Sequence, residues 1–298
     1  MALVLLPLAL GIVMLGLGLG LTGADFHRVL AWPTAVLIAL ACQVVVLPLV
    51  CFGLVRAFDL PPLLAVGMML LAASPGGTTA NLYSHLFGGD VALNITLTAI
   101  NSVLAVFTLP IIVNISLAYF DGGASTLGLQ VDKVAQVFAL VLIPVALGML
   151  VRRRAPRFAF RMSGPVKVLS VLVLIGVIIG AVTQEREILI ENIGTVGLIA
   201  VVFSLISLGT GYLVPRLFRV APRQAIASSM EIGIHNSTLA ITIALSPTLL
   251  DSTEIAVPAA IYGILMFFTA ASVGLMIRRP ADADEPAEAV AEPSGDIA

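Results

Sequence analysis

Apolar runs of about the length of a membrane crossing alternate along this chain with short polar connections. A helix needs about 20 apolar residues to cross the hydrocarbon of a bilayer. Runs of that size predict nine spans, near 2–21, 30–54, 62–87, 90–119, 131–151, 164–182, 193–214, 222–248 and 255–277. No polar stretch is long enough for a soluble domain. The expected fold class is therefore an all-α polytopic membrane protein, with one transmembrane domain over 1–279. The first run lacks a basic leader and a small-residue cleavage site, so it reads as a retained span rather than a signal peptide. The tail 280–298, rich in Ala, Pro, Asp and Glu, is expected to be disordered, acidic and cytoplasmic.

Composition agrees with the pattern. Of 298 residues, 59% are hydrophobic and only 11% charged, whereas a soluble domain carries about a quarter charged residues. The outer surface must face lipid. Cys42 and Cys51 lie in one apolar run, about 13 Å apart along a helix, too far for a bridge. Lys and Arg in short loops set orientation, because cytoplasmic loops hold the excess. Arg28, Arg152, Arg153, Arg154, Arg157, Arg161, Arg216, Arg219, Arg223, Arg278 and Arg279 fall on one side, and Arg56, Lys133 and Arg186 on the other. This predicts a multi-pass protein of the cell inner (plasma) membrane, with the N-terminus outside and the C-terminus cytoplasmic. The partners expected are the bilayer and a small solute; no nucleic acid is expected.

Two spans hold residues that a simple lipid-facing helix should not. The third is broken by Ser74-Pro75-Gly76-Gly77-Thr78-Thr79-Ala80-Asn81, and the eighth by Glu231-Ile232-Gly233-Ile234-His235-Asn236-Ser237-Thr238. Pro removes a backbone donor and Gly adds little helical stability. A Pro-Gly-Gly kink alone is commonly packing, and a lone membrane His is often a satisfied donor. Glu231 is harder to treat as structural, because intramembrane charge is costly and no Lys or Arg lies in the apolar core to pair with it. It must be protonated, hydrogen-bonded to neighbours, or neutralised by a cation. If spans one to four match spans six to nine, the interrupted segments correspond, and the odd offset makes the repeat inverted. Paired broken helices in inverted repeats mark midplane binding sites of secondary transporters. The fourth span adds Asn94, Thr98 and Asn101 on one face. These side chains, with Glu231 and freed carbonyls, form the oxygen-rich set that a hard cation takes. The second half-helices, opening near Thr78, Thr79, Ala80 and Asn81 and near Asn236, Ser237 and Thr238, offer amides and positive dipole ends to an organic anion.

The segments Ser74 to Ser102 and Glu231 to Leu245 resemble the bile acid:sodium symporter family, as do Gly16 to Leu19 and Gln43 to Pro48. The resemblance covers nearly the whole chain. It implies a core domain built on two crossing broken helices, a panel domain moving against it, and two sodium ions as coupling ions, with no other cofactor or metal. Residue by residue it implies a first sodium site of Asn81, Asn94, Thr98 and Glu231. The second would use Glu231, His235, Gln43 and the carbonyls of Ile232 and Ile234. Relatives with ten spans have an additional first helix, so this chain starts at what corresponds to their second. Ala80 replaces a usual hydroxyl, Asn94 a serine and His235 a glutamine. Imidazole suits sodium poorly, so the second site is weakened, lost, or turned to proton chemistry.

The function expected is sodium-coupled symport of an organic anion, bile-acid-like or a small carboxylate, by alternating access. The alternative within transport is proton or mixed coupling through Glu231 and His235, since His titrates near neutrality. An intramembrane enzyme built on Ser84, His85 and Asp90, or on His235 and Asn236, lacks any H-E-x-x-H or G-x-S-x-G context. A passive channel accounts less well for a single buried carboxylate between broken helices.

Overall fold

The computed structural model describes residues 11–278 except positions 13, 17, 123–130, 163, 167, 170, 171, 173–185 and 248. Most of the expected sixth span, part of the first, and the tail lie outside the described residues. Among the described residues the chain is helical, without a strand. A short helix, Gly23–His27, and a 3-10 turn, Arg28–Ala31, lead into α1, Pro33–Ala57. There follow α2 (Pro62–Ala73), α3 (Thr78–Leu86), α4 (Val91–Phe120), α5 (Val131–Arg154), α6 (Arg186–Leu217), α7 (Pro222–Gly233), α8 (Ser237–Leu245) and α9 (Thr253–Ile277). Among the described residues, four segments are long and apolar enough to cross a membrane: Pro33–Ala57, Val91–Phe120, Ile193–Leu217 and Thr253–Ile277. The chain is a multi-pass membrane protein.

The third and eighth expected spans are each two half-helices, and the sequence shows why. Both start on proline at the first turn, where its missing amide costs nothing. The turns before them match. Asp59 (φ 48°) and Arg219 (φ 60°) are left-handed, each three residues ahead of its proline. Leu60 N–H closes onto the Val55 carbonyl (3.1 Å), and Val220 N–H onto the Pro215 carbonyl (3.0 Å). This is the Schellman ending of a helix. Both leading halves have 12 residues and both trailing halves 9. After each pair, a polar N-cap opens the next long helix. Asp90 accepts from Leu93 N–H and Ser252 from Ile255 N–H.

The half-helices are wrapped by the longer ones. Every residue from Leu64 to Ala73 is buried, and so is every residue from Ala225 to Gly233. Irregular backbone at membrane depth survives only when protein covers it. α2 packs on α1, α4 and α9, and α7 on α3, α4 and α6. One large apolar core follows, while Leu37, Ile111, Ile115, Leu213 and Phe268 stay exposed on the outer helix faces. A smaller cluster of Leu19, Ala159 and Val166 lies apart from it. There the first span meets α5 so closely that a Cβ on Gly148 would strike the Leu15 carbonyl and the Gly18 backbone.

Candidate functional site

The two breaks meet. Gly76 and His235 form an isolated antiparallel bridge, and Asn236 N–H donates to the Pro75 carbonyl at 2.8 Å. Unwound backbone from one half of the chain thus satisfies unwound backbone from the other, as buried peptide groups require.

Glu231 is fully buried at this crossing. Its Oε2 accepts from the Thr98 hydroxyl at 2.6 Å and its Oε1 from the Asn101 amide at 3.3 Å. The backbone of Gly76 hydrogen-bonds the same carboxyl group. All three partners are neutral. The approach of Gly76 leaves no room for a side chain, since a Cβ there would collide with the Glu231 carboxyl.

The helices packed around Glu231 carry buried oxygens without donors. The Asn94 amide nitrogen donates to the Ala227 carbonyl at 2.8 Å, which turns Oδ1 the other way, buried and unpartnered. Asn81 Oδ1 is also buried and unpartnered. It stands on α3, which packs on the α4 and α7 that carry Asn94, Thr98 and Glu231. Native interiors leave few polar atoms unsatisfied. A group of acceptors facing no donor fits a hard cation, which binds through oxygen. Among the described residues no three His, Cys, Asp or Glu side chains converge on one point.

The second set gathers around Ser74. Gln43 stands in a π-turn of α1, Cys42–Val46, a local widening often found at functional sites. Its amide nitrogen donates to the carbonyls of Ala72 (3.3 Å) and Ser74 (3.0 Å), leaving Oε1 unpartnered. His235 Nδ1 lies 3.2 Å from the same Ser74 carbonyl. A carbonyl only accepts, so Nδ1 carries the proton, and Nε2 is a bare lone pair without a partner. Phe203 stacks on the imidazole (centroids 5.3 Å, 8°), and Tyr262 packs at 5.4 Å and 52°. Tyr262 is held by its own hydroxyl, which donates to the Gly233 carbonyl at 2.9 Å. Ile232 and Ile234 lie at the C-terminal end of α7, where helical carbonyls run out of amide partners.

The trailing halves start at the crossing. α3 opens at Thr78 behind Gly77 with no side chain on its first amides, and Thr79, Ala80 and Asn81 follow in its first turn. α8 opens behind Asn236, whose Oδ1 accepts from Leu239 N–H at 3.0 Å. One amide of this second terminus is therefore occupied. Ser237 Oγ is buried and unpartnered, and Thr238 is half-buried.

Asn101 bonds Glu231 directly; the sequence grouped it with Asn94, Thr98 and Glu231 as an oxygen-rich set, although neither sodium site implied by the resemblance includes it. Its i+7 relation to Asn94 was the available signal. Phe203 and Tyr262 gave no signal, since each is one aromatic residue in an apolar run.

Comparison with known proteins gives the family. A family profile described as the sodium bile acid symporter family matches residues 7–192. The chain is 27% identical over 256 residues to the uncharacterized sodium-dependent transporter YocS of Bacillus subtilis, covering 86% of this chain and 77% of that one. It is 26% identical over 241 residues to the human ileal sodium/bile acid cotransporter, covering 80% and 68%. It is 31% identical over 214 residues to the human P3 protein, covering 71% of this chain and 44% of that longer one. The first two of these relatives are transporters by name, and the profile is one of symporters rather than enzymes. This chain belongs to the sodium bile acid symporter family.

Proposed function

We propose that this chain is a secondary active transporter that couples movement of an organic anion, bile-acid-like or a small carboxylate, to sodium by alternating access. One observation carries the reading: a fully buried carboxylate with only neutral partners, set where two helix breaks cross, with unpartnered amide oxygens on the helices packed against it. Sodium at Glu231, Asn81, Asn94 and Thr98 would neutralise that charge. A second ion would use Glu231, Gln43, His235 and the carbonyls of Ile232 and Ile234. Without sodium, Glu231 offsets the positive dipole ends of α3 and α8. With sodium bound, those ends are free to hold an anion beside Thr78, Thr79, Ala80, Asn81, Asn236, Ser237 and Thr238. Each solute then raises the affinity of the other, which is the reciprocity that coupling requires.

The wider frame of this reading is nine spans in an inverted repeat, with a core of α1–α4 and α6–α9 and a panel that includes α5. The matched lengths, prolines and left-handed turns around the two broken pairs support it. The protein would lie in the cell inner membrane with its C-terminus cytoplasmic.

Glu231→Ala tests the proposal. It should abolish sodium-dependent uptake into proteoliposomes while the protein still folds and inserts; full sodium-driven uptake would refute it. A second reading, proton or mixed coupling, rests on the bare Nε2 of His235. Imposing sodium and pH gradients separately divides the two, since only the second allows accumulation with no sodium present.

A further inference from the structure

We propose that the end of α5 is a binding site for anionic phospholipid, one helix face holding both acyl chain and headgroup. Ile143, Leu147 and Leu150 are 56%, 50% and 42% exposed and share that face by their spacing of i, i+4 and i+7. In a multi-pass protein such an outward apolar stripe lies against acyl chains. Arg154, Arg157 and Arg161 continue the same register beyond Leu150, and all three are exposed. The register survives the junction at Ala155. There Ala155 N–H donates to the Val151 carbonyl (2.8 Å) and Ala159 N–H to the Ala155 carbonyl (2.9 Å). Ala159 is fully buried in the small cluster with Leu19 and Val166. At about 100° per residue it stands on the side opposite Leu150 and Arg161. Packing against the first span therefore fixes the arginine face outward.

The charge here has one sign. Residues 152–161 hold five arginines, and no Asp or Glu occurs between Asp132 and Glu185. None of the five has a carboxylate partner among the described residues. Guanidinium groups take phosphate oxygens in pairs, and basic clusters beside a span draw anionic headgroups. Topology alone asks only for positive charge in this connection. It does not account for Phe158 and Phe160, which stand between the arginines at 56% and 74% exposure. At headgroup level these rings pass from water into the interface. The acidic stretch from Asp282 to Asp296 matches the arginines in charge, but it has no aromatic residue to cover the phenylalanines. A lipid surface satisfies both features, and it does so whichever ion occupies the helix crossing.

Tryptophan quenching reads this spot alone. Trp32 is the single tryptophan of the chain, so Trp32→Phe with Leu150→Trp puts one reporter beside the arginines. The full chain is reconstituted in phosphatidylcholine, with brominated phosphatidylglycerol or brominated phosphatidylcholine added, because brominated chains quench an indole that they touch. Phosphatidylglycerol should be preferred at the reporter by about tenfold or more. Adding Arg154→Gln, Arg157→Gln and Arg161→Gln together should bring the two lipids to parity. Parity with the arginines intact, or an unchanged preference without them, overturns the inference. A preference that emerges only after residues 281–298 are removed would make the acidic stretch the occupant, and the lipid site would be withdrawn. Should the triple variant fail to insert, about 1 M sodium chloride, where charges are screened beyond about 3 Å, should erase the preference. Its persistence there would overturn the site equally.

Discussion

A methyl group decides whether Glu231 can sit where it does. Gly76 approaches the carboxyl group so closely that a Cβ would displace it, whereas its neighbour Gly77 has nothing within 4 Å of the same position. Gly76→Ala should therefore lose sodium-dependent uptake, and Gly77→Ala should retain most of it. Radiolabelled uptake by the two variants at equal membrane abundance checks the contrast; equal loss in both would mean that the break merely needs flexible backbone. Thr98→Val removes a hydroxyl bonded to a charged group, worth about 1.5–3 kcal/mol, so sodium affinity should fall about ten- to hundred-fold. At His235 the expected change has the opposite sign. His235→Gln replaces a bare ring nitrogen by an amide oxygen, a better partner for sodium. The sodium concentration giving half of the sodium-induced thermal shift should drop about tenfold, the effect of about 1.4 kcal/mol. Loss of stacking on Phe203 should also lower the melting temperature without sodium. An unchanged sodium midpoint would make His235 a bystander. At this scale the sequence was informative wherever chemistry was improbable. A carboxylate and an imidazole in an apolar run stand out, but Phe203 and Tyr262 do not, because only tertiary packing brings them onto His235.

Helix ends carry the next level. Asn236 caps α8 with its side chain, while Gly77 leaves α3 uncapped. Asn236→Ala should destabilise the protein by about 1 kcal/mol, visible as a lower melting temperature in detergent. If the α8 terminus also holds the anion, substrate affinity should fall in the same variant; a stability loss alone would assign Asn236 to the fold only. The broken pairs were legible because Pro, Gly and charged residues interrupt two apolar runs, and the other long helices begin and end within a few residues of the expected spans while α6 starts seven residues early, at Arg186. The π-turn at Cys42–Val46 was not. Leu47 N–H reaches the Cys42 carbonyl, five residues back, and Pro48 supplies no donor for the next regular bond. Proline in a helix predicts a disturbance but not its kind, so the aim of Gln43 at the break could not be read from periodicity.

Across the molecule, the proposed inverted repeat makes one demand that can be tested without any substrate. If the two broken pairs are related by an odd number of spans, they run through the membrane in opposite senses. The turn before α2 and the turn before α7 are then on opposite faces, although their backbones match residue for residue at Asp59 and Arg219. The charges agree with this. Arg153 and Arg223 sit on exposed positions of the Arg-rich connections, and Asp59 and Asp251 on exposed positions of the others. The structure fixes one relation directly, since Asp90 N–H donates to the Arg223 carbonyl, which puts the α3–α4 turn and the start of α7 on one face. In a background with the buried Cys42 and Cys51 replaced, single cysteines at these four positions report the rest. Arg153→Cys and Arg223→Cys should react with a membrane-impermeant maleimide only in inverted vesicles, and Asp59→Cys and Asp251→Cys only in intact cells. Labelling of Asp59→Cys and Arg223→Cys from the same side would place both broken pairs in one orientation, and the inverted repeat would have to be abandoned.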